Sequence, residues 1–249
     1  MKLFRPKLFL ERPACVLMDL DNTLYPYAPS HIAGTAAARD LAQAMLNLGA
    51  DDFARCFADA RTEIKARLGD QAASHHRLLY FQRTLERAGL ATRPMEALQL
   101  EQAYWRAYLD SMRLFPGVID FMDDLRLADV PVILVTDLTA EIQLRKLLTL
   151  ELDGRFDFVV TSEESGHDKP HPASFELAIA KLGGVEGPIW MIGDNHHCDL
   201  VGAKTVLGAR TLQYRHTDVT PSPVDSDHAD GWVADFRDLS RLLARSADV

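Results

Sequence analysis

Hydrophobic and polar positions divide the chain into blocks of two kinds. Ala14-Cys15-Val16-Leu17-Met18 is a short unbroken apolar run, closed by Asp19, Asp21, Asn22 and Thr23. A run of that length with no polar alternation predicts a strand buried on both faces. After Tyr25-Pro26 the spacing becomes helical. Leu41, Met45 and Leu48, then Phe53, Phe57 and Ile64, then Leu78, Leu79, Phe81 and Leu85 mark one face each. These predict helices over 30–48, 51–68, 74–89 and 95–112. Gly49, Gly69 and Gly89 act as stops and Asp51-Asp52 as an acidic start.

Beyond Phe115-Pro116-Gly117 the two kinds of block alternate. The pattern predicts helices over 118–127, 140–150, 172–182 and 200–207, and strands over 130–135, 156–161, 188–192 and 209–213. A surface loop over 217–230 and a helix over 235–245 close the chain. Strands alternating with helices predict a parallel sheet covered on both faces. The expected fold is therefore α/β, a Rossmann-like parallel sheet core with an inserted all-helical cap domain. Residues 1–24 and 116–249 make the core and 25–115 the cap. An insertion of roughly ninety residues far exceeds an ordinary connection. It leaves from the carboxyl end of the first strand, where it is placed to act as a lid.

Composition narrows the partners. A chain of 249 residues, 47% apolar and 25% charged, reads as an ordinary soluble globular protein. The net charge of -9 argues against nucleic acid or an anionic membrane as main partner. A small phosphorylated substrate would need a local positive patch against that field. Cys15, Cys56 and Cys198 are odd in number and unpaired in spacing, so a reducing cytoplasm is expected. The charges of residues 1–12 interrupt any signal-peptide core, and no stretch approaches a membrane span.

The candidate chemistry sits at strand ends. A buried strand that ends in two carboxylates carries a cost that a ligand at the carboxyl edge of an open sheet would offset. Asp19 and Asp21 suit a divalent cation: one carboxylate oxygen, one backbone carbonyl, and one side chain left free for proton transfer.

Asp19-Leu20-Asp21-Asn22-Thr23, Thr136, Lys169-Pro170, and Gly193-Asp194 with Asp199 resemble the four motifs of the haloacid dehalogenase (HAD) superfamily. They stand in that family's order, with a helical (C1-type) insertion between the first and second. The resemblance spans Ala14 to about Gln213 and implies an Mg²⁺-dependent phosphatase working through an aspartyl phosphate. It makes Asp19 the nucleophile and Asp21 the general acid and base. Thr136 and Lys169 would bind the phosphoryl group, and Asp19, Asp21, Asp194 and Asp199 the metal. Asp21 favours phosphate esters over the superfamily's dehalogenase chemistry, because a halide leaves without a proton. A non-catalytic binding protein of the same fold is the other alternative, yet every core carboxylate and Lys169 are present. His196 and His197, between two of the aspartates, read more simply as solvent-exposed than as a transition-metal site.

The substrate class is left at a small phosphate monoester, a nucleotide or sugar phosphate. Leu24-Tyr25-Pro26 is similar to the corresponding start in pyrimidine 5′-nucleotidases, but that covers three residues. In the cap, Tyr27, His31, Arg39, Arg67, His75, His76, Arg77 and Arg83 are candidates to meet substrate. Asp137 departs from the family, where asparagine often follows the threonine. The expectation is that it turns outward to cap the helix beginning near Ala140.

Overall fold

The structure, a computed structural model, describes residues 1–223 and 226–246; residues 224 and 225 of the predicted 217–230 loop lie outside the described residues. Seven strands form one sheet: β1 (Lys2–Leu3), β2 (Cys15–Met18), β3 (Val132–Thr136), β4 (Phe158–Thr161), β5 (Ile189–Gly193), β6 (Arg210–Tyr214) and β7 (Gly231–Val233). Their order across the sheet is β1-β7-β6-β5-β2-β3-β4. All neighbours run parallel except β1, which pairs antiparallel with β7. The sheet is thus mixed at one edge, a correction to the all-parallel expectation. β1 and β7 escaped the pattern because two or three residues are too few to display a period.

β2 lies in the middle, with Met18 level with Leu134 on one side and Ile192 on the other. Its four residues are fully buried, and alternate positions serve opposite layers. Val16 and Met18 join Leu134, Trp190 and Phe236 in one core. Cys15 and Leu17 join Ile133, Val135, Met191 and Phe175 in the other. The chain passes from β2 to β3 on one side and reaches β5 on the other, which makes the carboxyl end of β2 a topological switch point. Crevices at such points are where open α/β sheets bind ligands.

Four α-helices occupy the insertion that follows β2: α1 (Tyr27–Leu46), α2 (Ala50–Leu68), α3 (Arg77–Arg87) and α4 (Pro94–Ser111). α1 lies on α4, and Gly34 permits it, since a Cβ there would collide with Tyr104. Phe53, Phe57, Phe81 and Tyr104 fill the bundle, with the Phe57 and Phe81 ring centroids 5.3 Å apart. The remaining helices are α5 (Val118–Leu127), α6 (Ala140–Thr149), α7 (Ser162–Ser165), α8 (Pro172–Lys181), α9 (Gly202–Leu207) and α10 (Phe236–Ser246). The predicted helix over 200–207 is entered through a turn of π-helix, His196–Val201. Among the described residues no helix is long and apolar enough to cross a membrane.

Candidate active site

The carboxyl ends of β2, β3 and β5 converge on a cavity of about 360 Å³, whose opposite wall comes from α2 and the start of α3. Asp19, at the end of β2, is 6% exposed. Its Oδ1 accepts from Lys169 Nζ at 2.7 Å and its Oδ2 from the Thr23 hydroxyl at 2.9 Å. That hydroxyl accepts in turn from the Asp194 backbone N–H at 3.0 Å. Thr23 therefore ties the end of β2 to the end of β5.

Asp199 comes from the π-helical turn. Gly193 must lack a side chain here, because a Cβ would overlap the Asp199 carboxylate. Asp199 accepts from Lys169 Nζ at 2.6 Å and from the Asn195 N–H at 3.0 Å. Asp19, Asp194 and Asp199 each offer a carboxylate oxygen within 4.8 Å of the others. Lys169 spends its third N–H on the Val135 carbonyl at 2.9 Å, so it neutralises Asp19 and Asp199 but makes no bond to Asp194.

The electrostatics follow from that shortage of cations. Burial, and then Asp19 and Asp199, push the Asp194 carboxyl up to about 9. Burial likewise raises Asp19 to about 6, with Lys169 opposing and Asp199 assisting. Burial raises Asp199 as well, and three clustered carboxylates raised above their ordinary range fit a divalent cation, an all-oxygen donor set fitting a hard one. Asp19, Asp194 and Asp199 could together hold such an ion. The Asp21 side chain does not join that group.

The Asp21 carboxylate is instead turned to α6, where Lys146 Nζ donates to both its oxygens at 2.7 and 2.8 Å. The Tyr25 hydroxyl also donates to it, and that oxygen lies 2.6 Å from the Tyr108 hydroxyl. Burial opposes ionisation of Asp21, but the Lys146 charge and these donors hold its carboxyl below the usual range. Gln143 joins the same network, donating to Thr136 Oγ1 at 2.7 Å and leaving the Thr136 hydroxyl proton available.

Asp137 does not cap α6. Its Oδ1 accepts from the Lys169 backbone N–H at 2.9 Å, and it lines the cavity. The Ala140 N–H is served by Glu163 instead, at 2.8 Å. Burial pushes the Asp137 carboxyl up to about 6. The inward position has a physical reason: it fixes the lysine loop, whose Lys169-Pro170 peptide is cis.

Of the cap candidates, Tyr27, His75 and Arg77 line the cavity. Arg39, Arg67 and Arg83 are spent on ion pairs with Asp40, Glu63 and Glu86. His31 bonds to Tyr104 and does not line it. His196 bonds to Ser222, and His197 is exposed, so neither joins the acidic group. Sequence reasoning missed Arg61, Lys65, Lys146 and Gln143. Lys146 and Gln143 carried a signal, since they fall on the same stripe of the 140–150 helix as Ile142 and Leu147.

Comparison with known proteins identifies the family. The haloacid dehalogenase-like hydrolase family matches residues 13–206. The chain is 40% identical over 215 residues to a ribulose-1,5-bisphosphate 5-phosphatase of Halopiger xanaduensis, covering 86% of this chain and 90% of that one. It is 28% identical over 209 residues to a glyceraldehyde 3-phosphate phosphatase of Methanopyrus kandleri, covering 83% and 87%. The magnesium-bound structure of the HAD hydrolase YfnB from Bacillus subtilis superposes with a TM-score of 0.68 at 20% identity, covering 94% of this chain and 99% of that one. The chain belongs to the haloacid dehalogenase-like hydrolases and is a phosphatase.

Proposed function

We propose that the protein hydrolyses a small sugar phosphate monoester in an Mg²⁺-dependent reaction through an aspartyl phosphate on Asp19. The observation that carries this reading is the convergence of Asp19, Asp194 and Asp199 on one another, with Lys169 on two of them and Asp21 held apart by Lys146. Phosphatase relatives named for phosphorylated sugars support the sugar class over the nucleotide class. Residues 25–115 serve as the cap that closes the cavity and excludes bulk water.

Asp19, Asp194 and Asp199 would hold the Mg²⁺, together with the Asp21 backbone carbonyl. Bound there, the ion would neutralise charge on the phosphoryl group and on the nucleophilic carboxylate. Lys169 and the Thr23 hydroxyl hold one oxygen each of Asp19, fixing its plane. The Thr136 hydroxyl donates to a phosphoryl oxygen.

In the first half-reaction an Asp19 oxygen bonds to phosphorus as the ester P–O bond breaks. The departing alkoxide takes a proton from Asp21, which must leave Lys146 and become protonated first. In the second, water attacks phosphorus and gives its proton to the ionised Asp21, releasing phosphate and restoring Asp19. The resting contact with Lys146 favours the ionised state that this second step needs.

The test is steady-state hydrolysis of a sugar phosphate panel with and without Mg²⁺, alongside Asp19→Asn. The amide is nearly isosteric but cannot form the acyl phosphate, so turnover should vanish while the melting profile persists. Substantial turnover in folded Asp19→Asn, or full activity in chelator, would overturn the reading.

A further inference from the structure

The charges on α2 divide by face. On its outer side Asp52 pairs with Arg55, Glu63 with Arg67, Arg83 and Arg87, and Asp59 with Arg87. Arg61 and Lys65 stand one helical turn apart and line the cavity. Among the described residues neither is paired with a carboxylate. Arg77 lines the same wall and is 6% exposed. Its guanidinium donates only to neutral oxygens: Tyr27 Oη at 2.9 Å, Tyr104 Oη at 3.2 Å and the His75 carbonyl at 2.6 Å. That uses three of its five N–H groups and leaves two. Asp168, the neighbouring acid, is engaged with His75 Nε2 at 3.0 Å.

Three cations therefore face one small cavity with no carboxylate paired to any of them among the described residues, in a chain of net charge -9. Half-buried and buried charges of one sign repel, and an anion entering between them relieves that repulsion. The transferring phosphoryl group cannot be that anion, because Lys169, Thr136 and the acidic cluster already provide for it on the opposite wall. We propose that Arg61, Lys65 and Arg77 form a subsite for a second phosphate on the substrate, so that the preferred ester is a sugar bisphosphate. One phosphate sits at the carboxyl end of β2 and the other against the cap, with the sugar between them. This rests on the phosphatase reading and narrows it: the cap selects by charge, and its closure is favoured by the substrate's distal end.

Binding is measured by calorimetry to Asp19→Asn in Mg²⁺, which needs no turnover. The probes are ribose 1,5-bisphosphate against ribose 5-phosphate, and fructose 1,6-bisphosphate against fructose 6-phosphate. In at least one pair the bisphosphate should bind about tenfold tighter or more. That ratio should fall toward one when Arg61→Gln and Lys65→Gln are added. It should also shrink in about 0.5 M salt, where charges are screened within a few ångströms. Equal binding of both members of each pair, or an unchanged ratio in the folded variant, overturns the proposal. If the variant does not fold, the salt series decides, and a salt-independent ratio overturns it. Failure of wild-type protein to hydrolyse any ester would count against the phosphatase reading alone, since the binding ratio is measured independently.

Discussion

Lys146→Met isolates the contact that most distinguishes this site. Lys146 is 1% exposed and the Asp21 side chain 28% exposed, so the pair is largely withdrawn from water. Breaking a fully buried pair by removing one partner costs about 3–5 kcal/mol. Here Asp21 keeps partial solvation and the Tyr25 and Gln143 donors, and methionine refills the space beside the Tyr25 and Tyr108 rings. The expected loss at pH 7 is therefore about 2 kcal/mol, or about 4–8 °C in Tm for a chain of this length. The pH dependence has a definite sign. The folded pKa of Asp21 lies below its unfolded value near 3.9, so the unfolded chain binds the extra proton. The stabilisation is present above about pH 4 and lost as pH falls through the folded value. The gap between wild type and variant should be widest near neutrality and close in acid. Differential scanning calorimetry from pH 3 to 8 reads it, with Lys146→Met in an Asp21→Asn background as control. There the lysine has lost its carboxylate partner, and its removal should be neutral or stabilising. A Tm change under 1 °C at pH 7, or an equal loss in the control background, would refute the assignment of the pair.

Asp21→Asn should slow turnover strongly for alkyl phosphates and less for aryl phosphates, whose leaving groups need little protonation; equal losses would remove Asp21 as the acid. Ca²⁺ should suppress Mg²⁺-supported hydrolysis, because its larger and more flexible shell misaligns nucleophile and phosphorus; activation by Ca²⁺ in a rate assay would contradict this. The rise in Tm produced by Mg²⁺ should grow between pH 5 and pH 9. Asp19 near 6 and Asp194 near 9 bind protons more tightly folded than unfolded, so without cation stability declines as pH rises through that window. A bound cation offsets the decline, and a pH-independent Mg²⁺ effect measured by thermal melting would be the contrary outcome.

The legibility of this chain follows the range of the forces involved. Val16, Leu134 and Ile192 were visible because a strand buried on both faces leaves an unbroken apolar run. Asp19 stood out because it closes such a run, whereas Thr136, Lys169 and Asp194 were singled out by their resemblance to the haloacid dehalogenase motifs. β1 and β7 were invisible because their stability comes from pairing with neighbours far along the chain, Lys2 with Trp232 and Leu3 with Gly231. Asp137 was misread for a related reason. A local rule offered it a helix N-terminus two residues away, but a distant backbone N–H, that of Lys169, competes for the same carboxylate and wins.

Charge partners were the least legible feature. Arg61, Lys65 and Arg67 look alike on α2, and spacing alone does not rank them. What separates them is Glu63, which gathers Arg67 with Arg83 and Arg87 from the turn-adjacent helix α3 and its end. Once that carboxylate is spent on the outer face, Arg61 and Lys65 are left looking into the cavity with Arg77. The same logic governs the opposite wall, where Lys169 serves Asp19 and Asp199 and leaves Asp194 short of a cation. The two walls are unbalanced in opposite senses. A substrate that carries its anions at both ends, together with a divalent cation, balances both at once, which is why the unpaired charges are more informative about function than the paired ones.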